Sequence, residues 1–242
     1  MCSHYEAEFK DLLKGWGVPF HEWKNYADVY REWKAGKEAM GNLRAGIDPT
    51  KEGLVIKADG SVTPMHWGYM RRRERVDGKG LKAPAPTVNA QSEKVANPHS
   101  MWYESWKSGR RCIVPVSAFY EWTYPGGQMV THRFHMGGMG FGIAGLWEDS
   151  TEFGPCYTML TTIPNREVET TGHDRCLVAF KDEDEAARWL GGGDFKKTDF
   201  HRPDGMFQVQ SGVPNPRAST KGMTGKPKDK TQKDPPAQGE LF

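Results

Sequence analysis

The sequence predicts an α+β fold with a mainly antiparallel sheet or barrel, flanking helices and a disordered C-terminal tail. Strand-like runs outnumber helix-like runs and do not alternate with them regularly, which disfavours a doubly wound parallel sheet. The 28 glycines and 16 prolines among 242 residues separate these runs. Aromatic residues make up 12% of the chain although its mean hydropathy is −0.72, a combination that indicates an ordered core beside very polar segments.

Helical spacing of apolar residues predicts two helices near the N-terminus, at residues 6–16 and 27–40. Two more are predicted at residues 92–108 and 182–190. In the last of these, Asp and Glu occupy the first turn, where the helix dipole favours negative charge.

Strands are predicted where short apolar or alternating runs are bounded by glycine and proline. They cover residues 53–58, 65–70, 112–124, 131–136, 141–147, 156–163 and 176–180. In the run at 156–163 the larger side chains recur at every second residue, as in a half-buried strand.

Residues 1–213 are predicted to form one domain, and residues 214–242 a disordered basic tail rich in Lys, Gly and Pro. The formal net charge is only +2, so any nucleic-acid surface has to be a local patch. No apolar run approaches the ~20 residues of a membrane span, and the polar first residues do not resemble a signal peptide. We therefore expect a cytoplasmic monomer without a membrane contact; any binding to DNA would place it at the nucleoid.

The cysteines form no C-x-x-C pair, so we expect neither structural zinc nor a redox motif, and no metal or cofactor. Cys112, Cys156 and Cys176 border strand-like runs and are interpreted as small buried hydrophobic residues.

Cys2 differs because it directly follows the initiator Met1, which is normally removed before a small residue. Removal leaves an α-amine with a pKa of about 8 and a thiol with a pKa of about 8.5 on adjacent carbons. Together they can convert an aldehyde to an imine and then to a five-membered thiazolidine. On position alone, Cys2 could also be an incidental second residue, or part of a Cu(II) or Ni(II) site with Ser3 and His4.

Two titratable residues are candidates for proton transfer. Glu121 ends an apolar run, where it either points outward or sits in an aromatic pocket suited to acid–base chemistry. His173 lies in a polar turn before a strand, a place where catalytic groups and solvent-exposed histidines both occur. Asn89, between a proline-stiffened segment and a predicted helix, is interpreted as a turn former.

A basic segment follows the aromatic residue Trp67 and contains Arg71, Arg72, Arg73 and Arg75. Cations beside aromatic rings suit a single-strand nucleic-acid groove, where bases stack on rings and cations follow phosphates. A solvated basic loop is the alternative.

A series of short blocks resembles, in the same order, the SOS response-associated peptidase (SRAP) family of abasic-site processing proteins. These blocks are Met1-Cys2, Trp67-Gly68, Asn89-Ala90-Gln91-Ser92-Glu93, Phe119-Tyr120-Glu121-Trp122, Ala144-Gly145-Leu146-Trp147-Glu148, Thr158 with Thr161 and Asn165, and Gly172-His173-Asp174-Arg175.

The resemblance implies an enzyme of the DNA-damage and SOS response that crosslinks covalently to abasic sites in single-stranded DNA. Cys2 would form the thiazolidine, and Asn89 would orient the reacting terminus or sugar. Glu121 would act as the acid–base carboxylate, also in crosslink reversal, and His173 would assist sugar ring opening. The family name further implies autoproteolytic removal of the residue before Cys2.

The chain departs from the family pattern at DNA-contacting positions. Members usually begin Cys-Gly-Arg-Phe, whereas His4 stands here in place of the arginine. Gln91 replaces the arginine of an Asn-Ala-Arg-Ser-Glu motif. We expect retained crosslinking with an altered grip on DNA, in which His4, Gln91 and Trp122 contact the strand and the basic segment supplies charge.

The last five residues resemble the Gln-x-x-Leu-Phe peptide by which bacterial proteins bind the sliding clamp. Gln238, Leu241 and Phe242 would make that contact. Two other functions stay open: a non-covalent single-stranded DNA binding module, and a peptidase or amidase whose nucleophile is an N-terminal cysteine.

Overall fold

The computed structural model describes residues 2–12, 25–39, 46–72, 80 and 82–217. In the described part of the chain the helices are α1 (Phe9–Leu12), α2 (Tyr26–Ala39), α3 (Tyr103–Lys107), α4 (Arg166–Glu169) and α5 (Glu183–Leu190). The strands are β1 (His4–Glu6), β2 (Gly46–Ile47), β3 (Glu52–Lys57), β4 (Val62–Trp67), β5 (Tyr69–Arg71), β6 (Ala85–Thr87), β7 (Asn89–Gln91), β8 (Arg111–Val116), β9 (Ala118–Thr123), β10 (Val130–His135), β11 (Phe141–Ser150), β12 (Gly154–Thr162), β13 (Cys176–Leu177) and β14 (Gln208–Ser211). The predicted α+β class is confirmed.

Five strands close into a barrel in the order β11-β8-β3-β4-β12, because β12 also pairs with β11. The β12–β4 pair is parallel and the other pairs in this ring are antiparallel. β7 pairs with β12 in parallel, and β13 pairs with β12 antiparallel. β12 thereby connects the barrel to the segments that contain these two strands.

A second, antiparallel sheet lies beside the barrel in the order β14-β10-β9-β1-β2. The chain passes from barrel to sheet at Ser117, between β8 and β9. The amide of Ser117 donates to the carbonyl of Glu6, and its hydroxyl accepts from the amide of Glu8. The run predicted as one strand at 112–124 is therefore two strands, one in each sheet.

Both faces of β8 are buried, which explains its largely apolar sequence. Along β8, Cys112 and Val114 face one hydrophobic cluster, whereas Ile113 faces another that includes Trp189 of α5. The indole of Trp189 donates to the carbonyl of Cys112 at 2.9 Å and ties α5 to the barrel.

Two of the predicted helices are confirmed. α5 matches the prediction at 182–190, because the Asp182 carboxylate accepts from the amide of Glu185 at 2.7 Å and caps the helix. α2 covers the prediction at 27–40 as far as its described residues extend.

The other helix predictions are largely wrong. Of residues 92–108 only α3 is helical, and turns hold the preceding segment; Pro98 disfavours helical geometry at Asn97. Of the helix predicted at 6–16, the described residues contain only the short α1. Glu6 instead belongs to β1, which pairs with β9. Residues 13–16 lie outside the described part of the chain.

Two predicted strands are shorter than expected. The run at 65–70 is broken at Gly68, whose φ of +117° and close approach to Pro86 exclude a side chain. The run at 176–180 pairs as a strand only at β13, followed by a single bridge between Ala179 and Ile143.

Candidate active site

The sheet and the barrel together bring four predicted residues to one place. Cys2 lies two residues before β1, and Glu121 lies on the neighbouring strand β9. Asn89 opens β7 on the barrel side, and His173 lies in the loop between α4 and β13.

Cys2 is fully buried, and its backbone is held by a side chain from the barrel. The amide nitrogen of Asn89, Nδ2, donates to the carbonyl of Cys2 at 2.7 Å, and the Cys2 thiol donates to the carbonyl of His4 at 3.4 Å. Burial raises the pKa of the thiol far above its ordinary value, and the negative charge of Glu121 raises it further. The thiol is therefore neutral at rest and needs a base before it can attack.

Glu121 and His173 form a buried ion pair. His173 Nε2 lies 3.1 Å from Glu121 Oε2, and the two side chains are only 9% and 2% exposed. Burial alone would lower the pKa of His173, but the hydrogen bond and charge of Glu121 outweigh it and raise that pKa above its ordinary value. The pair can thus hold a proton near neutral pH and deliver it beside Cys2.

The loop of His173 is fixed from both sides. Gly172 precedes it with a φ of +82°, a left-handed conformation that favours glycine. Arg175 follows, and its guanidinium binds the Glu93 carboxylate through two 2.9 Å hydrogen bonds and the carbonyl of Thr161 at 2.8 Å. The imidazole is therefore held in place by the backbone on one side and by a bidentate clamp on the other.

The family model of SOS response associated peptidase (SRAP) matches residues 1–210. The chain belongs to the SRAP family.

The SRAP chain also resembles two solved structures. A crystal structure of a protein from Bordetella bronchiseptica is 21% identical with a TM-score of 0.60, over 87% of this chain and 99% of that chain. One from Bacteroides thetaiotaomicron is 15% identical with a TM-score of 0.60, over 87% of this chain and 91% of that chain. At these identities the likeness shows the fold alone. No curated protein matches the chain significantly.

Trp67 is a core residue of this SRAP protein. It is fully buried, its indole donates to the carbonyl of Val88 at 3.0 Å, and Tyr5 packs edge-on against its ring. No ring face is open to a base, so this placement argues against the predicted stacking. Sequence alone does not separate a buried tryptophan from an exposed one in a strand of mixed pattern.

His4 is buried as well, and its partner is a carboxylate. Its Nδ1 lies 2.9 Å from Asp48 Oδ1, and its ring packs edge-on against Tyr120 at 5.3 Å. His4 therefore supports the strand that carries Cys2, which argues against the predicted direct contact with DNA.

Two arginines of the predicted basic segment form ion pairs. Arg71 makes a bidentate contact with Glu148, and Arg72 Nε lies 2.5 Å from a carboxylate oxygen of Glu152. Their charge is therefore largely neutralised in place. Arg73 and Arg75 lie outside the described residues, as do Gln238, Leu241 and Phe242 of the predicted clamp peptide.

Two other predicted DNA contacts lie next to the site. Gln91 is half-buried and lies two residues after Asn89 on β7, so the two side chains share a face of the strand. Trp122 is half-buried and directly follows Glu121 on β9.

The other three cysteines are buried free thiols, as predicted. Burial raises the pKa of Cys156 to about 12 and that of Cys176 to about 12. Within the described ranges no group of three His, Cys, Asp or Glu side chains is arranged to hold a metal. None of the helices in those ranges has the length and apolar character needed to span a bilayer.

Sequence reasoning missed residues that lie around the pair of Glu121 and His173. His132 lies opposite Glu121 in the β10–β9 register; burial lowers its pKa and the charge of His173 lowers it further. The ion pair between Arg175 and Glu93 joins two of the sequence blocks that resemble the family. Their opposite charges were the signal that could have predicted this pair.

Proposed function

We propose that this SRAP protein captures abasic sites in single-stranded DNA by a covalent bond to Cys2, after Met1 has been removed. One observation supports this most: four distant segments bring the residues for such a reaction together around Cys2. Asn89 holds its carbonyl, and the pair of Glu121 and His173 provides proton transfer beside it.

The reaction begins with the freed α-amine of Cys2, which attacks the aldehyde carbon C1′ of the ring-opened sugar. The resulting carbinolamine loses its hydroxyl as water when His173 donates a proton, which leaves a protonated imine; the imine then returns its N–H proton to His173. The sulfur then adds to the imine carbon while the thiol proton moves, through Glu121, to the nitrogen. The sum is aldehyde plus aminothiol, giving a thiazolidine and one water.

Each contact of the site supports a step of this sequence. Asn89 fixes the backbone of Cys2, which holds amine and sulfur in one orientation and reduces the entropy cost of ring closure. Burial raises the pKa of the thiol, which keeps it protonated at rest. The carboxylate whose charge raises the thiol pKa is also the group that can accept the thiol proton.

Two further activities use the same groups. By microscopic reversibility, the pair of Glu121 and His173 would reprotonate the leaving groups when a crosslink is reversed. Cleavage of the Met1–Cys2 bond, which the family name suggests, would use the Cys2 thiol as nucleophile with the same pair as base and acid.

Incubation with single-stranded oligonucleotides, with and without an abasic site, tests the proposal. The wild-type chain should give a heat-stable product with the abasic strand only, and Cys2→Ala should give none. Cys2→Ala and Cys2→Ser both keep the α-amine but lack the sulfur, so each should give only an imine that borohydride traps. Cys112→Ala, which removes another buried thiol, is the control and should react like wild type.

Two results would favour the other functions. Reversible binding with no stable product would indicate a binding module, and cleavage of peptide substrates dependent on Cys2 would indicate a peptidase.

A further inference from the structure

Arg217 connects the C-terminal end of the described chain to the strand that carries Cys2. Its Nε donates to Asp48 Oδ1 at 2.6 Å, and its Nη2 donates to the carbonyl of Ser3, the residue next to Cys2. The guanidinium also lies over the Trp122 ring, 5.2 Å from its centroid. These contacts join three segments of the site.

The contact with Asp48 is electrostatically strong. Burial would raise the pKa of Asp48, but the hydrogen bonds from His4 and Arg217 outweigh it and lower that pKa to about 2. Asp48 therefore stays ionised and anchors Arg217 and His4 at one oxygen.

The third guanidinium nitrogen of Arg217, Nη1, differs from Nε and Nη2 in its contacts. No described residue accepts a hydrogen bond from Nη1, and 34% of the side chain is exposed. A planar guanidinium that is held through two of its nitrogens presents the third nitrogen in a fixed direction, which suits a phosphate oxygen. Arg71 and Arg72 are already paired with carboxylates, so they are less able to bind a phosphate.

We propose that Arg217 positions Cys2 and binds a backbone phosphate of the abasic DNA. Nε and Nη2 tie Asp48 to Ser3 and so fix the segment that carries the nucleophile, and Nη1 contacts the DNA. This inference rests on the proposed function. It extends the functional part of the protein four residues beyond the predicted domain boundary at 213, and it assigns a role to a residue inside the segment predicted as a disordered tail.

The test compares Arg217→Gln and Arg217→Lys with wild type. Arg188→Gln is the matched control, since Arg188 also lies over an aromatic ring, at 4.2 Å from Phe195, and near the carboxylate of Asp199. Three quantities are measured. Crosslinking gives the maximal rate and the half-saturating DNA concentration, and non-covalent binding of undamaged single strands in a Cys2→Ala background gives the salt dependence.

Arg217→Gln should raise the half-saturating concentration about tenfold and should reduce the slope of log affinity against log salt by about 0.7, the value of one phosphate contact. Arg217→Lys should keep the slope but lower the maximal rate, because an ammonium lacks the fork that holds Asp48 and Ser3. Arg188→Gln should leave the maximal rate, the half-saturating concentration and the salt slope unchanged.

The proposal is overturned if Arg217→Gln keeps the wild-type slope and maximal rate. If Arg217→Gln does not fold, as judged by circular dichroism, Arg217→Lys decides: a wild-type slope with a lower maximal rate supports the proposal, and wild-type values of both overturn it. If the wild-type chain forms no crosslink, the proposed function fails, while the salt slopes still decide whether Arg217 contacts a phosphate.

Discussion

The substitution Glu121→Gln changes charge at the site with little change in size. Because the hydrogen bond and charge of Glu121 raise the pKa of His173, the imidazole of the variant should lose its proton at a lower pH. Water departure from the carbinolamine needs that proton. We expect the crosslinking rate at neutral pH to fall by about 100-fold or more, and the high-pH limb of the rate profile to move to lower pH. The low-pH limb, set by the α-amine of Cys2, should stay in place.

The same variant should change stability in a pH-dependent way. Unit charges 3.1 Å apart attract with about 5 kcal/mol at an effective dielectric of about 20, but desolvation of both groups offsets much of this. We expect a net loss of about 1.5–3 kcal/mol, that of a hydrogen bond to a charged group. A raised histidine pKa stabilises the folded state fully below the ordinary value of about 6.5, and this contribution disappears as the pH rises through the folded-state pKa.

Single-turnover crosslinking across a pH series and urea denaturation at about pH 6 and about pH 9 measure both effects. Glu148→Gln is the control because Glu148 is also a largely buried carboxylate in an ion pair, with Arg71. It should lower stability without moving the high-pH limb. A Glu121→Gln protein with a wild-type rate and profile would refute the acid–base role of the pair.

Three further substitutions test the supports of the site. Gly172→Ala places a side chain at a φ of +82° and should cost about 1–2 kcal/mol in urea denaturation while slowing crosslinking, since His173 follows directly; a wild-type rate would show that the turn does not position the imidazole. Asp48→Asn should cost about 1–2 kcal/mol at neutral pH, and because the pKa of Asp48 is lowered to about 2, the difference from wild type should shrink as the pH falls towards that value; a difference independent of pH would contradict this. Arg202→Met leaves Glu185 charged and buried without its partner and should cost about 3–5 kcal/mol in thermal or urea unfolding, whereas a change below about 1 kcal/mol would contradict the buried pair.

Local patterns predicted the elements that local forces determine. α5 was predictable because its cap, acidic first turn and apolar face all lie within nine residues. The structure of residues 92–108 was not predictable. Glu93 forms an ion pair with the distant Arg175, and contacts with the barrel override the helix propensity of this segment. Long-range pairing decides such segments, and a single sequence does not show which strands pair.

The four chemical residues of the site could be predicted from their family blocks, but their supports could not. Asp48 and Arg217 are 169 positions apart and carry no shared motif. Trp67 was interpreted as a DNA contact because its neighbours are basic, whereas the fold buries it in the barrel. Exposure depends on tertiary packing, which the pattern around one residue does not reveal.

The most direct measurement is the mass of the peptide that remains attached to an abasic oligonucleotide after proteolysis of the crosslinked protein. We predict an N-terminal peptide that begins at Cys2, joined to the oligonucleotide with loss of one water and unchanged in mass by borohydride, as a closed thiazolidine requires. A peptide that retains Met1, an attachment at another residue, or a reducible imine would contradict the account.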